Sequence, residues 1–149
     1  MTTVLLVDDH AMVRSGLSAL LAATADLTVV GQARDGAEAV ELAGRVRPDV
    51  VLMDLSMPVM DGIEATRQIT ASGVDTKVLV LTTFDLDEYV FAAIRNGASG
   101  FLLKDALPEE LLGAIRAVAA GDAVVAPSAT KRLLSRFAPL LPRAAKDPD

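Results

Sequence analysis

The chain has no cysteine, no tryptophan and a single histidine, His10, among its 149 residues. Without cysteine there is no disulfide framework, no thiolate zinc site, no cysteine nucleophile and no iron–sulfur cluster. One histidine leaves a His-rich metal site or a Ser-His-Asp triad poorly supplied. No apolar run reaches the roughly 18 residues that a membrane-spanning helix needs. The opening residues Met1-Thr2-Thr3-Val4 lack the basic stretch of a signal peptide. The expectation is a soluble, cytoplasmic protein with no membrane partner. Hydrophobic residues are 52% of the chain, too many for a disordered polymer. A chain of this length makes one domain with a short extension and needs no staple, since it buries roughly 68–70% of its unfolded surface.

The net charge of −6 is unevenly spread. Residues 1–126 hold 18 acidic against 9 basic side chains, and residues 127–149 hold 5 basic against 2 acidic. An acidic body repels a polyphosphate, so it is a poor DNA binder by itself.

Short apolar runs alternate with helical patterns. Thr3–Asp8 is a compact apolar run ending in acid, and Val13, Leu17, Leu20 and Leu21 then fall on one helical stripe. Leu27–Gly31 predicts a second strand, and Ala37–Val46 a helix closed by Pro48. Asp49–Asp54 predicts a third strand, again ending in acid. After a turn holding Ser56-Met57-Pro58 and Asp61-Gly62, a helix runs to about Ser72. Thr76–Thr82 is the fourth strand. A helix over 85–96 stops at Asn96-Gly97, a natural left-handed stop. Gly100–Leu103 is the fifth strand. Pro108, Glu109 and Glu110 suit the start of a last helix, which runs to about Ala120. Five such units imply an α/β fold: a doubly wound, five-stranded parallel sheet with helices on both faces. A short amphipathic piece from about Ser128 to Phe137 precedes a basic tail broken by Pro139, Pro142 and Pro148. The expected division is a domain over 1–122 and a helix and linker over 123–149, leading to a further domain that these residues do not contain.

In an open parallel sheet, ligands bind beyond the carboxyl ends of the strands. Asp8 and Asp9 end the first strand, Asp54 the third, Thr82 and Thr83 the fourth, and Lys104 the fifth. Three close carboxylates repel, and a hard divalent cation relieves the repulsion while keeping open positions for phosphate oxygens. Lys104 supplies a compact positive charge and Thr82 a hydroxyl donor. This is a set for moving a phosphoryl group, with one carboxylate as nucleophile. Asp54 is the best candidate, since it lies on the central strand facing both the acid pair and the lysine. Taken singly, each of these residues reads as a turn, cap or solvated side chain; their coincidence on one rim carries the inference. His10 could donate to a carboxylate but reads first as the start of a helix. Met53, Met57 and Met60 read as packing, Arg45 and Arg47 as a solvated helix end, and Tyr89 as either packing or part of a surface.

The motifs Val4-Leu5-Leu6-Val7-Asp8-Asp9-His10, Asp54-Leu55-Ser56-Met57-Pro58 with Asp61-Gly62, Leu81-Thr82-Thr83 and Gly97–Asp105 resemble the receiver domain of a two-component response regulator. The resemblance covers residues 3 to about 121 and is closest to the NarL/FixJ-like branch, which carries a LuxR-type helix-turn-helix domain. It implies a flavodoxin-like strand order, 2-1-3-4-5. It implies that Asp54 accepts a phosphoryl group from a sensor histidine kinase. Asp8, Asp9, Asp54 and the backbone carbonyl of Ser56 would hold Mg2+ (or Mn2+), Lys104 would pair with the phosphoryl oxygens, and Thr82 and Phe101 would be the switch residues. Phosphorylation would promote a homodimer, and DNA would be bound only through a C-terminal domain beyond these residues. Such a protein is a self-phosphorylating switch, not an enzyme with a separate substrate. Many receivers have proline after the lysine; here Asp105 stands there and is expected to cap the next helix.

Other readings stay open on the residues alone. A phosphatase or mutase with Asp54 as nucleophile usually has a second acid two residues on, where this chain has Ser56. A stand-alone receiver acting by protein–protein contact is a further possibility. A flavin module would need a Gly-rich loop after the first strand, where Asp8-Asp9-His10 stands instead.

Overall fold

A computed structural model describes residues 1–54, 61–73, 75–82 and 87–125, excepting the side chains of 87–90 and 125. The elements run β1 (Thr2–Val7), α1 (Ala11–Ala22), β2 (Leu27–Ala33), α2 (Gly36–Val46), β3 (Val50–Asp54), α3 (Gly62–Ala71), β4 (Lys77–Thr82), α4 (Asp87–Arg95), β5 (Gly100–Leu103), α5 (Pro108–Ala119) and β6 (Val124–Val125). The helix expected from Ser128 and the turn holding Ser56, Met57, Pro58 and Met60 lie outside the described residues.

Side chains alternate across each strand, and here both sides are apolar. One face carries Leu5, Val7, Val51, Met53, Val78, Val80 and Phe101. These pack with Ala39 and Ala43 of α2, Ala65 and Ile69 of α3, and Ala93 of α4. The opposite face carries Val4, Leu6, Val50, Leu52, Leu79, Leu81 and Leu102, packed with Leu21 of α1 and Leu111, Ile115 and Val118 of α5. Fully burying such a side chain is worth roughly 1.5–3 kcal/mol, so neither face tolerates exposure. That two-sided demand explains the near-continuous apolar strands.

All pairings are parallel, in the order β2-β1-β3-β4-β5-β6. The expected five-stranded order is therefore present, with β6 added at the edge. β6 pairs Val124 with Gly100, where a Cβ would collide with the Val124 carbonyl; the absent side chain lets the strand close. The sheet thus runs on past residue 122. A two-residue strand has no periodicity to read, and its place is set by the open edge of β5.

Local signals hold the helices in register. The Asp35 carboxylate accepts from the Glu38 N–H at 2.8 Å, and Asp61 accepts from Glu64 at 2.9 Å. Pro48 disfavours the helical region at the residue before it. Arg47 accordingly leaves the helix with φ 48°. Gly97, with φ 109°, follows α4 as the left-handed stop. Asp105 does not cap α5: Leu107 is the N-cap, and its N–H donates to the Glu110 carboxylate at 2.8 Å. Pro108 at the first helical position fixes the cap one residue before it, which leaves Asp105 too early.

Candidate functional site

The register of the sheet builds one corner. Val7 lies opposite Met53, so the next residue, Asp8, reaches the level of Asp54. Asp54 lies opposite Leu81, which brings Thr82 to the same rim. Thr82 lies opposite Leu103, and the Lys104 N–H donates to the Thr82 carbonyl at 2.8 Å. Parallel strands ending at one level therefore deliver residues from β1, β3, β4 and the end of β5 to one place. Asp8, Asp54 and Thr82 are buried, at 3%, 5% and 8% exposure.

Lys104 joins the two buried acids. Its Nζ stands 2.8 Å from Asp8 Oδ2 and 3.4 Å from Asp54 Oδ1. Asp9 is more open and does not meet the lysine within ion-pair distance; its Oδ1 is 3.0 Å from His10 Nδ1. Three carboxylates against one ammonium leave a formal surplus of two negative charges, the charge of one divalent cation. Asp8, Asp9 and Asp54 offer oxygen donors, which suit a hard ion. Asp8, Asp9 and His10 each place a donor atom within 4.8 Å of the others, a grouping that could hold a metal ion.

Burial works against the charge on Asp8. The Lys104 ammonium, the His10 N–H and the His10 ring outweigh it and hold the carboxyl below its ordinary value of 3.8. Burial likewise works against the Lys104 ammonium, but Asp8 and Asp54 outweigh it and raise the amine above 10.5. In metal-free protein the Asp8 contribution to stability is fully present above pH 3.8 and is lost as pH falls through the lower folded value. The Lys104 contribution is fully present below pH 10.5 and is lost as pH rises through the higher folded value. Urea melts in EDTA are expected to show an acid limb that Asp8→Asn flattens. An acid limb of unchanged slope in that variant would remove the pair as its cause.

Arg14 is a part of the corner that sequence reasoning did not pick out. From α1 its Nη1 donates to the Asp8 carbonyl at 2.6 Å, and its Nε donates to the Gln32 side chain on β2 at 3.2 Å. It thereby ties the turn carrying Asp8 and Asp9 to a neighbouring strand. The only sequence signal is its place one helical turn beyond His10. Groups that orient metal ligands are worth 10–100-fold in affinity, so Arg14→Ala is expected to weaken Mg2+ binding by about tenfold. Calorimetric titration measures this, and equal affinity in the two proteins would make Arg14 a bystander.

Ser56 and Thr83 lie outside the described residues. Phe101 is 1% exposed, in the core layer with Val80 and Ala93. At the amino ends of the strands, Arg47, Asp49, Ser72, Gly73, Asp75 and Thr76 line a hollow of about 450 Å³. There Asp49 serves the fold, accepting from the Thr3 N–H at 2.9 Å.

The response regulator receiver domain family matches residues 4–116. The chain belongs to this family. The receiver is 48% identical over 132 residues to the uncharacterized transcriptional regulatory protein YxjL of Bacillus subtilis, covering 89% of this chain and 61% of that protein. It is 48% identical over 137 residues to the transcriptional regulatory protein LiaR of the same organism, covering 92% of this chain and 65% of the relative. A solved LuxR-family two-component response regulator from Aurantimonas sp. SI85-9A1 superposes with a TM-score of 0.85 at 34% identity, over 93% of the receiver and 99% of that chain. The receiver thus spans less than two-thirds of the length of these curated relatives. The family and the strand order bear out the expected fold, and the family match does not favour the flavin or phosphatase readings. No helix among the described residues is long and apolar enough to cross a membrane.

Proposed function

We propose that this receiver accepts a phosphoryl group on Asp54 from the phosphohistidine of a sensor kinase, in the cytoplasm, and passes the change to a transcriptional output. The observation that carries the reading is the Lys104 ammonium held between Asp8 and Asp54 at the rim of the sheet. An Asp54 carboxylate oxygen attacks phosphorus, the P–N bond to the kinase imidazole breaks, and the electron pair leaves on that nitrogen. Lys104 then exchanges its contact with Asp54 for a phosphoryl oxygen, a charge-assisted bond. Thr82, on the adjoining strand end, is placed to donate its hydroxyl to another. The receiver's own residues carry both this step and the later loss of the group to water.

The residues fit Mg2+: Asp8, Asp9 and Asp54 would hold it, and Ser56 would add its backbone carbonyl. When bound, the ion neutralises charge on the transferring oxygens. The added phosphoryl brings roughly −1.5 to −2 charge into a corner already crowded with acid, so neighbouring side chains must rearrange. Thr82 moving toward the phosphoryl would free space in the core layer that holds Phe101. The changed surface would favour a homodimer. The relatives YxjL and LiaR are transcriptional regulatory proteins, which supports a DNA-binding domain beyond the stretch that follows β6. A dimer then spans two half-sites.

The test is incubation with Mg2+ and acetyl phosphate, followed by intact mass. The protein gains one phosphoryl group; Asp54→Asn gains none, and neither does the wild type in EDTA. Equal gain by Asp54→Asn contradicts the reading.

A further inference from the structure

The single histidine faces the acid pair, and phosphoryl acceptance as proposed above gives it no part. His10 Nδ1 lies 3.2 Å from Asp8 Oδ1 and 3.0 Å from Asp9 Oδ1. Two donors bound side by side to one ion at about 2.1 Å stand about 3.0 Å apart. The imidazole nitrogen thus keeps the spacing of a neighbouring ligand to both carboxylates. The backbone fixes this pose. His10 is the N-cap of α1, and its N–H donates to Asp8 Oδ1 at 2.9 Å. Its side chain makes no cap hydrogen bond to the helix; it turns to the acids instead. The two oxygens of Asp8 divide their partners, with Oδ2 on Lys104 and Oδ1 on the His10 side. The ring is 68% exposed, so an ion can enter from solvent.

We infer that Asp8, Asp9 and His10 form a mixed oxygen–nitrogen site, in which the His10 imidazole binds divalent transition ions directly. The inference rests on the proposed metal-holding role of Asp8 and Asp9. Mg2+ prefers oxygen and takes little benefit from an imidazole, whereas Mn2+, Co2+, Ni2+ and Zn2+ accept it readily. The histidine therefore tilts the corner toward the later ions, and the metal supply of the cell becomes an input to the receiver.

The composition makes the test clean, since tag-free protein of these 149 residues contains no other imidazole and no thiolate. Mn2+ bound to wild-type protein should show 14N modulation in pulsed electron paramagnetic resonance, and His10→Ala should lose it. Calorimetric titration with Ni2+ and with Mg2+ should show the Ni2+/Mg2+ affinity ratio falling by about tenfold or more in His10→Ala. A ratio and a spectrum that His10→Ala leaves unchanged, with Mg2+ still bound by the wild type, overturn the nitrogen ligand and spare the receiver reading. Failure of the wild type to bind any of these ions overturns both.

Discussion

Lys104→Met lowers the stability of the metal-free receiver by about 2–4 kcal/mol, because two buried carboxylates lose the ammonium between them. The side chains of Asp8 and Asp54 are only 4% and 6% exposed, and the ammonium is what faces them both. Breaking a fully buried pair costs roughly 3–5 kcal/mol. The lysine is 21% exposed, which reduces that figure. Protonation of one of the two carboxyls limits the loss further. Mg2+ should restore more stability to the variant than to the wild type, since the ion then supplies the missing positive charge. Urea melts with and without Mg2+ measure both effects. A variant as stable as the wild type in EDTA would mean that the amine does not hold the corner together.

Phe101→Ala removes about 3–5 kcal/mol, the range for deleting a buried aromatic ring. The ring is 1% exposed, on a strand whose residue lies opposite Val80, with Ala93 of α4 in the same packed layer. Alanines from α2, α3 and α4 line the layer, and its larger members, among them Met53 and Ile69, relax only partly into a gap of this size. A domain's whole stability is only about 5–15 kcal/mol, so the urea midpoint should fall steeply. A loss below about 1 kcal/mol would mean that the layer collapses around the cavity or that the ring is not packed as described.

Much of the rim was legible because a parallel sheet writes its ends into sequence. Each strand reads as an apolar run, and the first polar residue after it marks the rim; Asp8, Asp54, Thr82 and Lys104 all follow from that rule. What the rule cannot supply is which partner each side chain chooses. The pairing of Lys104 with Asp8 more closely than with Asp54 is a matter of side-chain geometry. Arg14 acts through a backbone carbonyl, and carbonyls carry no sequence signal. His10 occupies a helix cap, the reading that local rules favour, and its turn toward the acids depends on where the fold sets Asp8 and Asp9. Asp105 followed a local capping rule that lost to Pro108, and β6 has too few residues to leave a pattern.

The central claim is that Asp54 carries the phosphoryl group, and borohydride reduction of the phosphorylated receiver tests it most directly. Reduction of an acyl phosphate on aspartate leaves homoserine, which peptide sequencing places by residue. The account predicts homoserine at position 54 alone; homoserine at Asp8 or Asp9 instead, or phosphoryl that survives reduction on a hydroxyl, would contradict it.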